Sequence, residues 1–470
     1  MLERDSLWQT PNCVIPAAMK KNILLINPWI YDFAAYDFWL APLGLLSLAA
    51  FLRKNGYGVQ MIDCLRRPVQ ASPLPRMEKR PRRFPAGHGH FFKEPLPKPA
   101  SLHAIPKRYN RYGITEAELL KGLQAIRKPE LILVTSMMTY WYPAVFDTIR
   151  ILKGKFPGVP VILGGNYVTI CSEHAQNAGA DLLVVGEGEP QLPEILKKFL
   201  GDDIIFQVDP ADLDSYPYPA YDLYERREQI SILTSRGCPF RCSYCASYLI
   251  NPRYRRRDPI KVADEIAYWH EGYGICQFSF YDDALLIDPE GMAIPLLKEI
   301  IRRGLTCQFH CPNGLHLREV TPKLAKLMFT AGFRTIRFGF ETADVQRQLN
   351  TGGKVTNEHL ERAVAYLREA GYEPRDIGIY LLCGLPGQSA VEVHEAIKHV
   401  KRCGARPVIA EYSPIPGTAL WDASVEASPY PIAEEPLFQN NSLLPCQNSL
   451  LTFEMYQDLK RQTRNPVEKQ

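Results

Sequence analysis

The chain has 470 residues, 46% of them hydrophobic and 23% charged, with a formal net charge of +4. That length suggests two or three domains with apolar material for sizeable cores. The small net charge gives no indication of a nucleic-acid partner, and no apolar run is long enough to span a bilayer. The start, Met-Leu-Glu-Arg-Asp, and the short patch Val14-Ile15-Pro16-Ala17-Ala18 do not make a signal peptide, so a cytoplasmic location is expected. Twelve cysteines in that compartment point to metal chemistry and reduced thiols, not to a disulfide framework.

Residues 1–204 alternate strand and helix signals. Asn22–Asn27 (NILLIN) predicts a short buried strand, Pro42–Lys54 an amphipathic helix and Val59–Asp63 a second strand. Leu131–Thr135, Val161–Leu163 and Asp181–Val185 continue the strand series, with a helix over Ala144–Lys155. Apolar strands separated by helices indicate a Rossmann-like parallel α/β sheet with right-handed crossovers. Ligands bind beyond the carboxyl ends of such strands. Those ends carry Asn27-Pro28-Trp29, the run Ser136 to Tyr142, Gly164-Gly165-Asn166-Tyr167 and Gly186-Glu187-Gly188-Glu189. Residues 66–111 interrupt the series and are dense in Pro, Lys and Arg. Arg80, Arg82 and Arg83 lie close together there, with His88 and His90 nearby. Such a composition predicts no compact core of its own; it reads as a solvated insertion, or as a lid contacting an anionic substrate or cofactor.

Residues 205–229 are polar and proline-punctuated, as in an interdomain connection. A second series fills residues 230–421, with strands at Ser231–Thr234, Ile275–Phe280, Thr306–His310, Thr335–Phe340, Ile377–Leu382 and Val408–Tyr412. Amphipathic helices at Lys261–Glu271, Pro289–Arg303, Pro322–Ala331, Asn357–Ala370 and Ala390–Cys403 run between them. About six βα units predict a partial or full β/α barrel of the TIM type, whose chemistry sits at the carboxyl ends of its strands. Residues 422–470 form an extension with one helical stretch near Leu451–Thr463.

Cys238, Cys242 and Cys245 follow the first of these strands as a C-x3-C-x2-C triplet. Three thiols so close cannot all pair as disulfides. The loop suits a metal that keeps one coordination position open. A [4Fe–4S] cluster usually takes four cysteines, so three leave one iron free to bind a substrate or cofactor. The alternative is a zinc loop or buried structural thiols. Zinc sites usually show a second C-x2-C or a His pair, and Cys307 and Cys311 are spaced differently; they read as buried or mouth-lining thiols. His174 and His316 have no ligand-spaced partners and read as structural. After the later strands come Tyr281-Asp282-Asp283, Pro312-Asn313-Gly314, Gly339-Phe340-Glu341-Thr342, Cys383-Gly384-Leu385-Pro386-Gly387 and Ser413-Pro414-Ile415-Pro416-Gly417-Thr418. Each is weak alone, since a carboxylate after a strand is more often a helix cap. Their serial placement is the stronger signal.

The cysteine triplet, with Tyr244 before its last member, resembles the cluster loop of the radical S-adenosylmethionine (SAM) enzymes. The resemblance implies that Cys238, Cys242 and Cys245 are the catalytic metal ligands and that the open iron holds SAM. It implies SAM contacts from Tyr244, Asp282, Asp283, Asn313, Glu341, Gly384 and Gly387. The usual Gly-Gly-Glu after the second barrel strand is replaced by Tyr281-Asp282-Asp283, as in the cobalamin-dependent branch. The first half resembles the cobalamin-binding domain of that branch through Pro42-Leu43-Gly44-Leu45, Leu163-Gly164-Gly165 and Gly179-Ala180-Asp181 leading to Gly186-Glu187-Gly188-Glu189. This likeness covers most of residues 20 to 420. It implies cobalamin held by Leu43, Gly44, Ser136, Met138, Tyr140, Gly164, Gly165, Tyr167, Gly186 and Glu187. The familiar Asp-x-His-x-x-Gly signature is absent: the first strand runs into Asn27-Pro28-Trp29-Ile30-Tyr31-Asp32. Cobalt would then lack a histidine from that motif, with Met138, Tyr140 or Trp141 near its lower face. Tyr140, Trp141 and Tyr142 read equally well as a corrin floor and as core packing.

The resemblance implies an oxygen-sensitive enzyme that forms a 5′-deoxyadenosyl radical and methylates an unactivated carbon. Its partners would be an unidentified substrate and an electron donor such as flavodoxin or ferredoxin, with no nucleic acid and no membrane. A cobalamin-assisted cyclisation or rearrangement is the alternative within that class. A cobalamin- or redox-responsive binding protein with a structural cluster is the alternative from another class.

Overall fold

The computed structural model describes residues 21–66, 81–84, 86–206, 208–224 and 228–464. The Val14–Ala18 patch and Arg80 lie outside the described residues.

The first domain is a parallel sheet of β1 (Asn22–Asn27), β2 (Gly58–Asp63), β3 (Leu131–Val134), β4 (Val161–Gly164) and β5 (Leu182–Val184), in the order β5-β4-β3-β1-β2. Helices α1 (Leu43–Lys54), α2 (Tyr142–Lys155) and α3 (Leu192–Leu200) pack on it. Ile23 and Leu25 face one apolar cluster while Leu24 and Ile26 face another, which is why the strand reads as a continuous apolar run and not as an alternation. The strand order reverses direction between β1 and β3, and a crevice opens at their carboxyl ends.

The second sheet takes β6 (Ile230–Ile232), β7 (Gln277–Phe280), β8 (Gln308–His316), β9 (Phe333–Glu341), β10 (Ile377–Cys383) and β11 (Arg406–Glu411) in chain order, all parallel. Helices α4 (Pro259–Tyr273), α5 (Ala293–Arg302), α6 (Pro322–Ala331), α7 (Asn357–Glu369) and α8 (Ala390–Arg402) connect them, giving the expected six-unit β/α layout. Side-chain caps start several of these helices: Asp258 accepts from Ile260 N at 2.7 Å, and Thr321 from Leu324 N at 3.2 Å. Register breaks fall in β8 between Cys311 and Leu315 and in β9 between Gly339 and Glu341. Irregularities of this kind re-aim side chains at sheet rims, and Glu341 takes a positive φ of 72° there.

Two regions differ from their sequence reading. The described part of 66–111 is not a solvated insertion. Asn110–Tyr112 pairs antiparallel with both Ile30–Asp32 and Lys93–Pro95, and Phe91, Leu102, Ile105 and Tyr109 are buried. Scattered apolar residues join the existing core of the first domain, so no separate core is needed. Arg83 pairs with Asp37 at 2.8 Å and Trp39 Nε1 donates to the Ala86 carbonyl at 2.5 Å, which buttresses the 36–41 segment against the barrel. The extension after 421 is a strap joining both domains. Leu437, Phe438 and Leu443 enter the first core, while Leu451, Tyr456 and Leu459 enter the barrel core with α9 (Phe453–Gln462). A segment shared between two cores has no single periodic face, and its pattern in the sequence is correspondingly weak.

Candidate functional site

The carboxyl ends of the two sheets meet around a cavity of about 530 Å³. The first domain supplies Pro28, Ser136, Gly165 and Asn166 to its wall; the barrel supplies Arg236, Cys245 and Asp283. An adjoining cavity of about 270 Å³ enters the first domain past Leu133, Ile162, Val184 and Ile195, with Gly186 and Glu187 at its edge. Leu43, Gly44, Gly165 and Asn166 line both, so the two cavities share a wall.

The cysteine loop leaves β6 through Gly237, whose φ is 82° and where a Cβ would fall 2.9 Å from the Asn251 and Arg253 carbonyl oxygens, so only glycine passes there. Cys245 N donates to the Cys242 carbonyl at 3.0 Å, and Leu420 N donates to the Ser243 carbonyl at 2.9 Å, holding the loop closed. Gly352 backs directly onto Cys242, where a Cβ would stand 3.2 Å from Cys242 Cα. Cys238, Cys242 and Cys245 are free thiols. Burial pushes the Cys238 thiol up to about 11, and the nearby Asp283, Cys245 and Cys242 act in the same direction. A soft cation is the partner that reverses this and draws all three into the thiolate form.

The acidic residues divide into two kinds. Asp282 is buried, and its Oδ1 accepts from Thr234 N and Oγ1 and from Ser235 N and Oγ, at 2.6 to 2.8 Å. Burial raises its pKa to about 6 against those bonds. It ties the end of β7 to the end of β6 and does not line the cavity. Asn313 Nδ2 donates to the Tyr281 and Asp282 carbonyls at 3.0 and 3.3 Å, so it too braces the turn. Asp283 faces the cavity and accepts from Ser247 Oγ at 2.5 Å. Glu341 pairs with Lys354 Nζ at 2.8 Å. Burial opposes the charge of Lys354, but Glu341 and the thiols of Cys242 and Cys245 hold its pKa above the ordinary value. Its ammonium also lies 5.6 Å from the centre of the Tyr244 ring, and the Tyr244 hydroxyl is buried close to Glu341. Lys354 was not anticipated; the Gly352-Gly353-Lys354 turn between two helical stretches was the available signal. Gly384 and Gly387 take positive φ values of 96° and 66°. Gly384 packs under Leu444, and neither glycine reaches the two cavities.

On the opposite wall, Gly165 has φ 104°, and a Cβ there would fall 2.1 Å from the Ser136 carbonyl oxygen. Ser136 Oγ donates to the Gly164 carbonyl at 2.7 Å, fixing this shelf. Leu43, Gly44, Ser136, Gly164, Gly165, Gly186 and Glu187 all line the two cavities. Met138, Tyr140 and Tyr167 do not. Met138 is 42% exposed on the surface and Tyr140 is buried. Tyr167 donates or accepts at 2.6 Å with His174 Nδ1, inside an aromatic group with Tyr142 and Phe146. Two of the three consecutive aromatics are thus core packing, and Trp141 alone faces the cavity, its Nε1 anchored to Asp32 Oδ2 at 2.7 Å. Arg236 was also missed. It lies in both linings, donates to Glu189 Oε1 at 2.6 Å and pairs with Glu187 at 3.5 Å, so it clamps the start of the cysteine loop to the first domain.

Family comparison agrees with this two-walled design. Residues 112–196 match the B12 binding domain, and residues 232–400 match the radical SAM superfamily. The chain is a cobalamin-binding member of the radical SAM superfamily. It is 28% identical over 328 residues to an uncharacterised methyltransferase of Pyrococcus horikoshii, covering 63% of this chain and 70% of that one. It is also 28% identical over 201 residues to the anaerobic magnesium-protoporphyrin IX monomethyl ester cyclase of a Synechocystis species, covering 36% and 40% respectively. Its fold is similar to that of the radical SAM methyltransferase TsrM from Kitasatospora setae, with a TM-score of 0.62 at 18% identity over 87% of this chain and 76% of that one. The cofactors of this enzyme are a [4Fe–4S] cluster, SAM and cobalamin. The residues present fit them: the loop of three free thiols reaches the cavity through Cys245, and the wall across from it is built on Gly165, which packs too tightly on the Ser136 backbone to carry a Cβ. Among the described residues no helix is long and apolar enough to cross a membrane.

Proposed function

We propose that the chain is a methyltransferase acting on an unactivated carbon of its substrate. The observation that carries this reading is the single cavity with Cys245 and Asp283 on one wall and Ser136 and Gly165 on the other. A substrate between them meets both cofactors at once. When bound, the cluster and SAM supply the hydrogen-abstracting radical, and cobalamin supplies the methyl group.

In this reading Cys238, Cys242 and Cys245 hold the cluster, and Tyr244, Asp283, Glu341 and Lys354 surround SAM. Asp282 and Asn313 support that site from behind. The glycine shelf, with Leu43, Gly44 and Ser136, receives the corrin, and the 270 Å³ recess with Gly186 and Glu187 receives its nucleotide tail. Arg236 keeps the two walls in register, and apolar Leu40, Trp141 and Ile415 keep water out. Electrons come from an external low-potential donor such as flavodoxin or ferredoxin.

The test is anaerobic turnover with SAM deuterated in its methyl group and extracts supplying the substrate. Product carrying the intact deuterated methyl, together with 5′-deoxyadenosine, is the expected result. Deoxyadenosine without methyl incorporation favours a cyclisation, the reaction named for one relative. Absence of both would reduce the chain to a binding protein.

A further inference from the structure

The outer face of the barrel carries a second set of metal-binding side chains, remote in sequence from the cysteine loop. Glu361 projects from α7, and His399 and Cys403 lie one helical turn apart at the end of α8. Their ligand atoms all lie within 4.8 Å of one another, and His399 Nε2 is 3.6 Å from Glu361 Oε1. A cavity of about 290 Å³ lies over them, lined by Glu361, His399, Cys403 and Arg402. The His399 side chain is 13% exposed, its Nε2 is buried with no hydrogen-bond partner, and its ring stacks on Phe340 at 6.0 Å. The imidazole is therefore held in one orientation with an unused nitrogen aimed at a thiol and a carboxylate.

We propose that Glu361, His399 and Cys403 form a zinc site that pins α7 to α8, with water as the fourth ligand. One nitrogen, one sulfur and one oxygen donor are the ligand classes that Zn²⁺ takes. Bonds of about 2.0 to 2.3 Å in a tetrahedron place ligand atoms roughly 3.5 Å apart. The observed spacing needs only small side-chain shifts to reach that. Cys403 binds as thiolate, so the zinc–sulfur bond forms as the S–H proton leaves to solvent. Burial, and then the Glu361 charge, push that thiol up to about 11 against Arg402, whereas burial and Arg402 keep His399 neutral against Glu361. One proton per zinc is released near neutrality, and affinity rises about tenfold per pH unit from 7 to 9. Arg402 Nη2 lies 3.4 Å from His399 Nδ1 and its positive charge opposes the ion.

Zinc is added to the reconstituted holoenzyme, and metal content is measured after chelator-buffered dialysis, with zinc-edge X-ray absorption on the same samples. One zinc per chain bound through a single sulfur is expected. His399→Gln and Cys403→Ser should each weaken it at least tenfold with cluster iron unchanged, and Arg402→Ala should tighten it. Three sulfurs around zinc would place the ion in the cysteine loop and overturn the proposal. So would zinc binding that ignores all three substitutions, or the absence of retained zinc.

Discussion

On the barrel side of the cavity the working groups are side chains: three thiols, Asp283, and the Glu341–Lys354 pair at 2.8 Å. On the first-domain side they are backbone and missing side chains: Gly44, Gly164 and Gly165, braced by the Ser136 hydroxyl. The difference follows from what each wall must hold. A cluster is bonded to the protein and needs donors of one element, whereas a broad flat ring needs an absence of obstruction. One wall should therefore fail when atoms are removed and the other when atoms are added.

Deleting the donors should have the largest effect. Replacing Cys238, Cys242 and Cys245 together by Ala should remove cluster absorbance, iron and sulfide, and with them SAM cleavage. Bound cobalamin should stay near one per chain, because the shelf is built from Ser136, Gly164 and Gly165 of the first domain and not from the cysteine loop. Cys311→Ala should keep its iron, since that thiol is buried inside the barrel wall. Full iron in the triple variant would remove the assignment of this wall.

Adding atoms should break the other wall. At Gly165 a side chain meets both an unfavourable φ of 104° and the Ser136 backbone at 2.1 Å. Gly165→Val is expected to cost about 2 kcal/mol or more in stability and to abolish measurable cobalamin binding while iron content is kept. Equal loss of both cofactors would mean that the two walls fold as one unit.

The same contrast decides what could be read in advance. The cysteine spacing is a local pattern of reactive side chains, and a local pattern survives in one dimension. The strands were equally plain, because residues buried on both faces leave unbroken apolar runs such as Asn22–Asn27. Arg236, and Lys354 apart from its glycine turn, were hard to read for the opposite reason, since each acts through a partner distant in sequence: Glu189 across the domain boundary, Glu341 beside a register break. Tyr140 and Tyr167 misled because an aromatic just past a strand end reads the same whether it faces a ligand or the core. Orientation is set by packing that no short stretch encodes.

A smaller effect separates the barrel wall from its own interior. His310 is buried, bonded at Nε2 to Gln277 at 2.8 Å and at Nδ1 to Thr335 at 3.0 Å, and stacked on Trp39 at 4.4 Å. Burial lowers its pKa to about 3. The unfolded chain binds this proton near 6.5 and the folded chain does not, so the contribution is complete above 6.5 and falls as pH drops toward 3. The slope is about 1.4 kcal/mol per pH unit. Urea midpoints taken between about pH 7 and pH 5 should therefore fall less steeply for His310→Gln than for the parent chain, although the variant starts lower. Identical slopes would show that His310 does not stay neutral in the fold.

The last and most local expectation concerns the lower face of cobalt. The first strand lacks a histidine at its end, and among the described residues no histidine lines either cavity. His174 is held by Tyr167 at 2.6 Å, and His88 and His310 are packed against Trp39. None is free to turn toward the shelf without breaking a packed aromatic group. Bound cobalamin should therefore be base-off with no protein imidazole on cobalt, and a weak lower ligand makes the low-valent state needed for remethylation easier to reach. Electron paramagnetic resonance of the cobalt(II) form reads this directly, because a nitrogen ligand splits each cobalt line into three. Unsplit lines are expected. Triplets that vanish on His174→Gln would show that the aromatic group opens when cobalamin binds, and that the glycine wall, like the cysteine wall, holds its cofactor by a bonded side chain.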